Sequence, residues 1–80
     1  MKEYLVILEK APANWAAYSP DVPGCVSTGE TQEETLASFE EALRGHLALL
    51  AEFGEPIPEP GAEARRVAVG VAPGATGVAA

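Results

Sequence analysis

One cysteine, one histidine, one methionine and one tryptophan in 80 residues leave little of the usual material for a chemical site. Cys25 alone cannot close an internal disulfide, so nothing in the chain asks for an oxidising compartment. Cys25 and His46 together fall short of the three or four protein ligands that zinc takes, and no metal or cofactor is expected. Basic residues are scarce as well. Five Lys and Arg stand against twelve Asp and Glu, giving a formal net charge of -7 and a pI near 4.4. Sequence-independent phosphate binding needs clustered cations, so direct contact with nucleic acid is not expected. No apolar run approaches the roughly 20 residues of a membrane span. The N-terminus also lacks the basic, apolar, small-residue order of a signal peptide, and the chain is expected in the cytoplasm. Asn and Gln occur once each beside abundant Ala, Glu and Pro. That leans towards a thermophilic source, a bias that GC-rich coding also produces.

What the chain does have is one long amphipathic helix with its signals written out, between Thr28 and Gly54. Thr31 and Glu34 make a capping box, in which the Thr31 hydroxyl accepts from the N–H of Glu34 and the Glu34 carboxylate reaches back to Thr31. Leu36, Phe39, Leu43, Leu47 and Leu50 recur at spacings of three and four, one stripe at 3.6 residues per turn. Glu33, Glu34, Glu40, Glu41, Arg44 and Glu52 fall on the other side, with Glu40 four before Arg44 in the orientation that favours an ion pair. Gly54, followed by Pro56, is the stop. Such a helix has about 22 residues and is roughly 33 Å long.

The flanking segments read as strands. Lys2–Lys10 is β-branched and apolar on both faces through its middle, and Asn14–Ser19 follows after a connection containing Pro12. In Pro20–Cys25, Pro23 and Gly24 suit the central positions of a type II turn, and a short third strand runs from Cys25 to Thr28. After the helix, Glu55–Ala62 has three prolines in eight residues and is expected to run extended as a spacer. Arg65–Val71 alternates valines with Arg66, Ala68 and Gly70 and reads as a last strand at a sheet edge. Residues 1–71 then form the domain, and Ala72–Ala80, without periodicity, a frayed tail.

The order is β-β-β-α-β: an α+β fold, with an antiparallel-rich sheet and one helix to cover one of its faces. If Tyr4, Val6 and Leu8 meet the helix, Leu5 and Ile7 are left on the far face, and the reverse assignment leaves a similar patch. Eighty residues are also near the lower limit for a self-sufficient core. A homodimer or higher homo-oligomer is therefore expected.

Nothing points to catalysis. Cys25 and His46 lack a third, orienting group; a half-buried structural histidine and a small buried thiol account for them. Adjacent carboxylates such as Glu33 with Glu34, or Glu40 with Glu41, point about 100° apart on a helix and read as a solvated face. PGAEA and PGATG lack the strand-to-helix context and the lysine of a phosphate loop.

Four ordered motifs carry a resemblance: PDVPGC at Pro20–Cys25, the opening GETQEE at Gly29–Glu34, the EAL inside the helix, and the close GEPIP at Gly54–Pro58. With Leu8–Lys10 and the aromatic strand Trp15–Tyr18, they make residues 4 to 60 resemble the N-terminal domain of the HicB-like antitoxin family. The resemblance implies a partial ribonuclease-H-like fold without nuclease activity. It also implies the role of antidote to a small mRNA-cleaving toxin of the HicA type, whose double-stranded-RNA-binding-like domain carries a catalytic histidine. In such pairs the antitoxin works by covering the toxin's surface, and an acidic cover for a basic RNA-binding surface agrees with the charge. Most members continue into a helix-turn-helix or ribbon-helix-helix segment; no such pattern follows here, and operator binding is not expected of this chain. Asn14 and Trp15 replace a more usual Gly-Tyr pair, so a different hairpin geometry is expected.

The residues expected to bind the partner are Trp15 and Tyr18, of which one faces the core and the other an interface; Asp21, on the rigid turn; and the helix carboxylates Glu33, Glu40 and Glu41. PDVPGC has an alternative reading as only a fold-defining turn. The competing function is an orphan homo-oligomeric scaffold binding a small molecule or an unrelated protein, with no toxin.

Overall fold

The structure is a computed structural model, and it describes residues 1–73. Three antiparallel strands, β1 (Ile7–Lys10), β2 (Trp15–Ser19) and β3 (Val22–Gly29), form one sheet in the order β1-β2-β3, and the helix α1 (Gln32–Glu52) follows. The α+β class and the helix on one sheet face are as expected. The register pairs Leu8 with Ala17 and Ile7 with Tyr18 across β1 and β2, and Ala17 with Ser27 and Tyr18 with Val26 across β2 and β3. Successive side chains alternate between faces. One face therefore carries Leu8 and Ala17 towards the helix, and the other carries Ile7, Tyr18 and Val26 away from it.

The core between sheet and helix is small. Phe39 and Ala17 are fully buried, Val22 and Cys25 nearly so, and Tyr4, Val6, Leu8 and Leu43 pack around them half-buried. Of the two face assignments open to the sequence, this is the one in which Tyr4, Val6 and Leu8 meet the helix. Ser19 is also buried, and its hydroxyl finds no hydrogen-bond partner among the described residues. A buried, unpaired polar group costs about 1–3 kcal/mol. Ser19→Ala should therefore raise stability by about 1 kcal/mol, seen as a higher urea midpoint at unchanged slope. A lower midpoint would show that the hydroxyl has a partner after all.

The helix starts and stops where its signals stand. Thr31 is the N-cap, its hydroxyl accepting from the Glu34 N–H at 3.0 Å. The Glu34 carboxylate accepts from the N–H of Glu30 at 3.3 Å rather than from Thr31, one residue further back than expected. At the other end Gly54 has φ 69°, the Glu55 N–H reaches the Leu50 carbonyl at 2.8 Å, and the Gly54 N–H reaches Ala51 at 3.2 Å. Those two bonds make the Schellman stop. The buried stripe is rotated from the expected one. Thr35, not Leu36, occupies its first turn fully buried, while Leu36 stands 43% exposed. The cause lies in Gly29, where an added Cβ would meet Thr35 Oγ1 at 2.7 Å and the Thr35 nitrogen at 3.0 Å. Strand and helix approach so closely there that only a short side chain fits, and Thr35 satisfies its own hydroxyl on the Thr31 carbonyl at 2.6 Å. Gly29→Ala should destabilise by about 1–3 kcal/mol, the usual cost of overpacking, measurable by thermal or chemical denaturation. A neutral effect would mean that the helix N-terminus can slide.

Three expected strands change. β1 forms its ladder only over Ile7–Lys10: Ile7 lies opposite Tyr18, and β2 ends one residue later, so Lys2–Leu5 have no partner strand. β3 begins at Val22 instead of Cys25. Pro23 and Gly24 lie inside it as a bulge: the register jumps from Tyr18 opposite Val26 to Ser19 opposite Val22, with Gly24 at φ 87°. The positive φ that a type II turn would require is thus used to bend a strand. The last strand is the larger correction. Arg65–Val71 forms no strand, and Val67, Val69 and Val71 are 75–79% exposed. With only Ala68 and Gly70 between its valines, the segment buries too little apolar surface to seat itself. The expected tail falls for the most part, at residues 74–80, outside the described residues.

Candidate functional site

Asp21 sits on the turn between β2 and β3, at the end of the sheet where β1 begins. Its Oδ2 accepts from the backbone N–H groups of Gly61 and Ala62, at 3.1 and 3.0 Å. Nearby, the Tyr4 hydroxyl donates to the Pro58 carbonyl at 2.6 Å, and Lys2 Nζ bridges both oxygens of Glu59 at 2.9 Å. That hydrogen bond from Lys2 to Glu59 holds the ammonium pKa above its ordinary value. These contacts bring the proline-rich segment after the helix back across the end of the sheet. In this geometry the Asp21 carboxylate serves the fold itself, by fixing the point from which residues 63–73 depart.

Trp15 and Tyr18 are three apart on β2 and so lie on opposite faces. Trp15 shares the helix side with Ala17, half-buried, with the ammonium of its cross-strand neighbour Lys10 5.8 Å from the ring centre. Tyr18 lies on the outer face between Ile7 and Val26, and Val26 is 63% exposed. The register thus decides a choice that the sequence left open: Trp15 takes the core side and Tyr18 the outer face.

Glu33, Glu40 and Glu41 are all exposed on the helix. Across the helix surface they lie away from Thr35, Phe39 and Leu43, which face the sheet. Glu40 pairs with Arg44 at 2.8 Å, the expected ion pair, with both groups about 70% exposed. The helix holds five carboxylates against this one guanidinium. The six expected residues therefore do not form one surface. Tyr18 and its apolar neighbours face one side of the molecule, the carboxylates face the opposite side across helix and sheet, and Asp21 holds the chain at one end.

The reactive residue types are elsewhere. Cys25 is buried, and desolvation pushes its thiol pKa up, the opposite of an activated nucleophile. His46 is half-buried on the helix flank. Among the described residues no group of three or more His, Cys, Asp and Glu is placed to hold a metal ion, and no helix is long and apolar enough to cross a membrane.

From residue 4 to residue 69 the chain matches the model of the family described as the HicB-like antitoxin of bacterial toxin-antitoxin systems. It belongs to this family. The chain is 32% identical over 63 residues to a UPF0150 protein of Thermoplasma acidophilum, covering 79% of this chain and 91% of that one. A UPF0150 protein of Synechocystis is 33% identical over 57 residues, 70% of this chain and 72% of the other. An uncharacterised 14.9 kDa protein from the rep-hol intergenic region of Haemophilus phage HP1 is 34% identical over 56 residues. That match covers 70% of this chain but only 42% of the phage protein. No solved structure gives a significant match.

The HicB-like opening motif now has a physical content. Gly29 admits Thr35, Thr31 caps, and Glu34 accepts from the N–H of Glu30, so G-x-T-x-E-E specifies how the strand enters the helix. Thr35 was invisible as a core residue because it is polar; its signal was the glycine six residues before it.

Proposed function

We propose that the chain is the antidote of a toxin-antitoxin pair, and that it neutralises a small basic mRNA-cleaving toxin of the HicA type by laying the acidic face of α1 over the toxin's RNA-binding surface. The observation that carries this is the exposed array of Glu33, Glu40 and Glu41 on a helix whose other side is fixed to the sheet by Phe39. A rigid row of carboxylates mimics the charge of a phosphate backbone and speeds encounter with a cationic protein. Membership of an antitoxin family supports the toxin as partner. Neutralisation by covering needs no chemistry from this chain, and a buried Cys25 with a raised pKa agrees with a non-catalytic role. The working unit is residues 1–71, acting in the cytoplasm where messenger RNA is cut. The outer face, with Ile7, Tyr18 and Val26, serves self-association into a homodimer or higher homo-oligomer.

The test is co-expression with a small basic mRNA-cleaving toxin of the HicA type, sought first in the neighbouring open reading frames. Co-purification, together with suppression of mRNA cleavage at equimolar antidote, is the expected result. Cleavage undiminished by an excess of this chain would overturn the proposal.

A further inference from the structure

Residues 63–71 make no backbone–backbone hydrogen bond among the described residues, although Gly61 and Ala62 just before them are held by Asp21. The segment has no regular secondary structure and carries Val67, Val69 and Val71, each at least 75% exposed. An open cleft of about 580 Å³ separates its start, Ala64 to Arg66, from Leu5 and Val6 and the first residues of β1, Ile7 and Leu8, with Trp15 and Gln32 completing the lining. β1 is an edge of the sheet, paired on one side only. The chain thus presents an unpaired strand edge and, beside it, an unseated segment with strand alternation, and it leaves the two apart.

We propose that Arg65–Val71 of one copy forms the fourth strand on the β1 edge of a second copy, and that the exchange is reciprocal about a two-fold axis. It deepens the self-association proposed above by naming the segment that makes it. Two observations favour a second copy over the segment's own β1. The root is fixed: Asp21 clamps Gly61 and Ala62, and Pro56, Pro58 and Pro60 stiffen the approach, so the point from which the arm leaves is set before residue 63 and the arm departs without pairing with its own β1. The reach is sufficient, since residues 63–71 extended span about 30 Å, more than the width of the three-stranded sheet with strands ~5 Å apart. Exchange also meets a need of the small core, which has four buried hydrophobic residues in each chain. Each arm lends its valines to the partner's sheet and removes an open edge from it. The symmetry is isologous, and so the assembly closes at two chains.

The experiment uses the full chain with Cys25→Ser as background. One preparation carries Glu9→Cys, and a second carries a cysteine at one of positions 66 to 70 in turn. The two are mixed through denaturant, refolded and oxidised. Exchange gives a disulfide-linked species of twice the chain mass for at least one arm position, and Val67→Glu with Val69→Glu abolishes the link and converts the dimer to monomer in light scattering. A chain carrying both cysteines separates the alternatives: a purely intrachain bond, with no change in mass, places the arm on its own β1 and overturns the exchange. A monomeric parent chain overturns both the exchange and the self-association on which it rests. A dimer that is indifferent to the arm substitutions, with no interchain link, overturns the exchange alone.

Discussion

Phe39→Ala removes about 3–5 kcal/mol of folding stability, the usual cost of emptying a buried aromatic site. Among the described residues Phe39 is the largest fully buried side chain, and only Ala17, Val22 and Cys25 join it as buried hydrophobic residues. At about 0.05–0.15 kcal/mol per residue, a domain of this size holds on the order of 4–12 kcal/mol in all. The variant is therefore expected to be largely unfolded near physiological temperature, with no cooperative transition in denaturant. Leu36→Ala is the control. Leu36 lies on the stripe that the three-and-four spacing picks out but is 43% exposed, and its truncation should cost about 1 kcal/mol or less. Equal losses at the two positions would mean that the helix is docked through the face implied by its leucines, and a core centred on Phe39 and Thr35 would be wrong.

If α1 covers a basic toxin as proposed, reversing Glu33, Glu40 and Glu41 together to lysine weakens that binding by about 100-fold at low ionic strength, mostly through a slower association rate. The three positions are exposed, so the fold should survive, as circular dichroism can verify. Their one structural link is the Glu40–Arg44 pair, and exposed pairs of this kind contribute little. The substitution moves the formal net charge from -7 most of the way to zero. Salt dependence supplies the second reading: toxin binding by the parent chain should fall steeply between low and physiological salt, and binding by the reversed variant should not. If the reversed chain binds and neutralises as well as the parent, the acidic helix face is only a solvated surface, and capture must run through the outer sheet face or the sheet end near Asp21.

The helix was legible because its information is local. A cap, an i to i+3 carboxylate and a terminal glycine act through hydrogen bonds within one turn, and the chain states them in order from Thr31 to Gly54. The three strands could be seen for the same reason, though their ends could not. A strand ends where its neighbour stops offering hydrogen bonds, and neither the shortening of β1 to Ile7–Lys10 nor the bulge at Pro23 and Gly24 can be computed from the strand's own residues. Arg65–Val71 shows the same limit more sharply. Its alternation is that of a strand, but alternation does not supply an edge to pair with.

Among the expected partner-binding residues, the helix carboxylates were readable as a charged face because the 3.6-residue period places them without reference to anything else. Trp15 and Tyr18 were readable only as a pair on opposite sides. Asp21 was marked by its rigid surroundings, but that its carboxylate holds Gly61 and Ala62, forty residues on, is a long-range fact.

The sequence by itself determined the α+β order, the span and caps of the helix, the acidic face and the family, since each depends on residue type and spacing within a few turns. Only the tertiary structure decided that Thr35 rather than Leu36 enters the core, that Tyr18 and the carboxylates look in different directions, and that residues 63–73 form no ladder with β1. Those outcomes turn on close approach between distant segments: a missing Cβ at Gly29, one step of register in β2, and a clamp at Asp21. Steric fit and hydrogen-bond pairing of that kind exist only once the chain has folded.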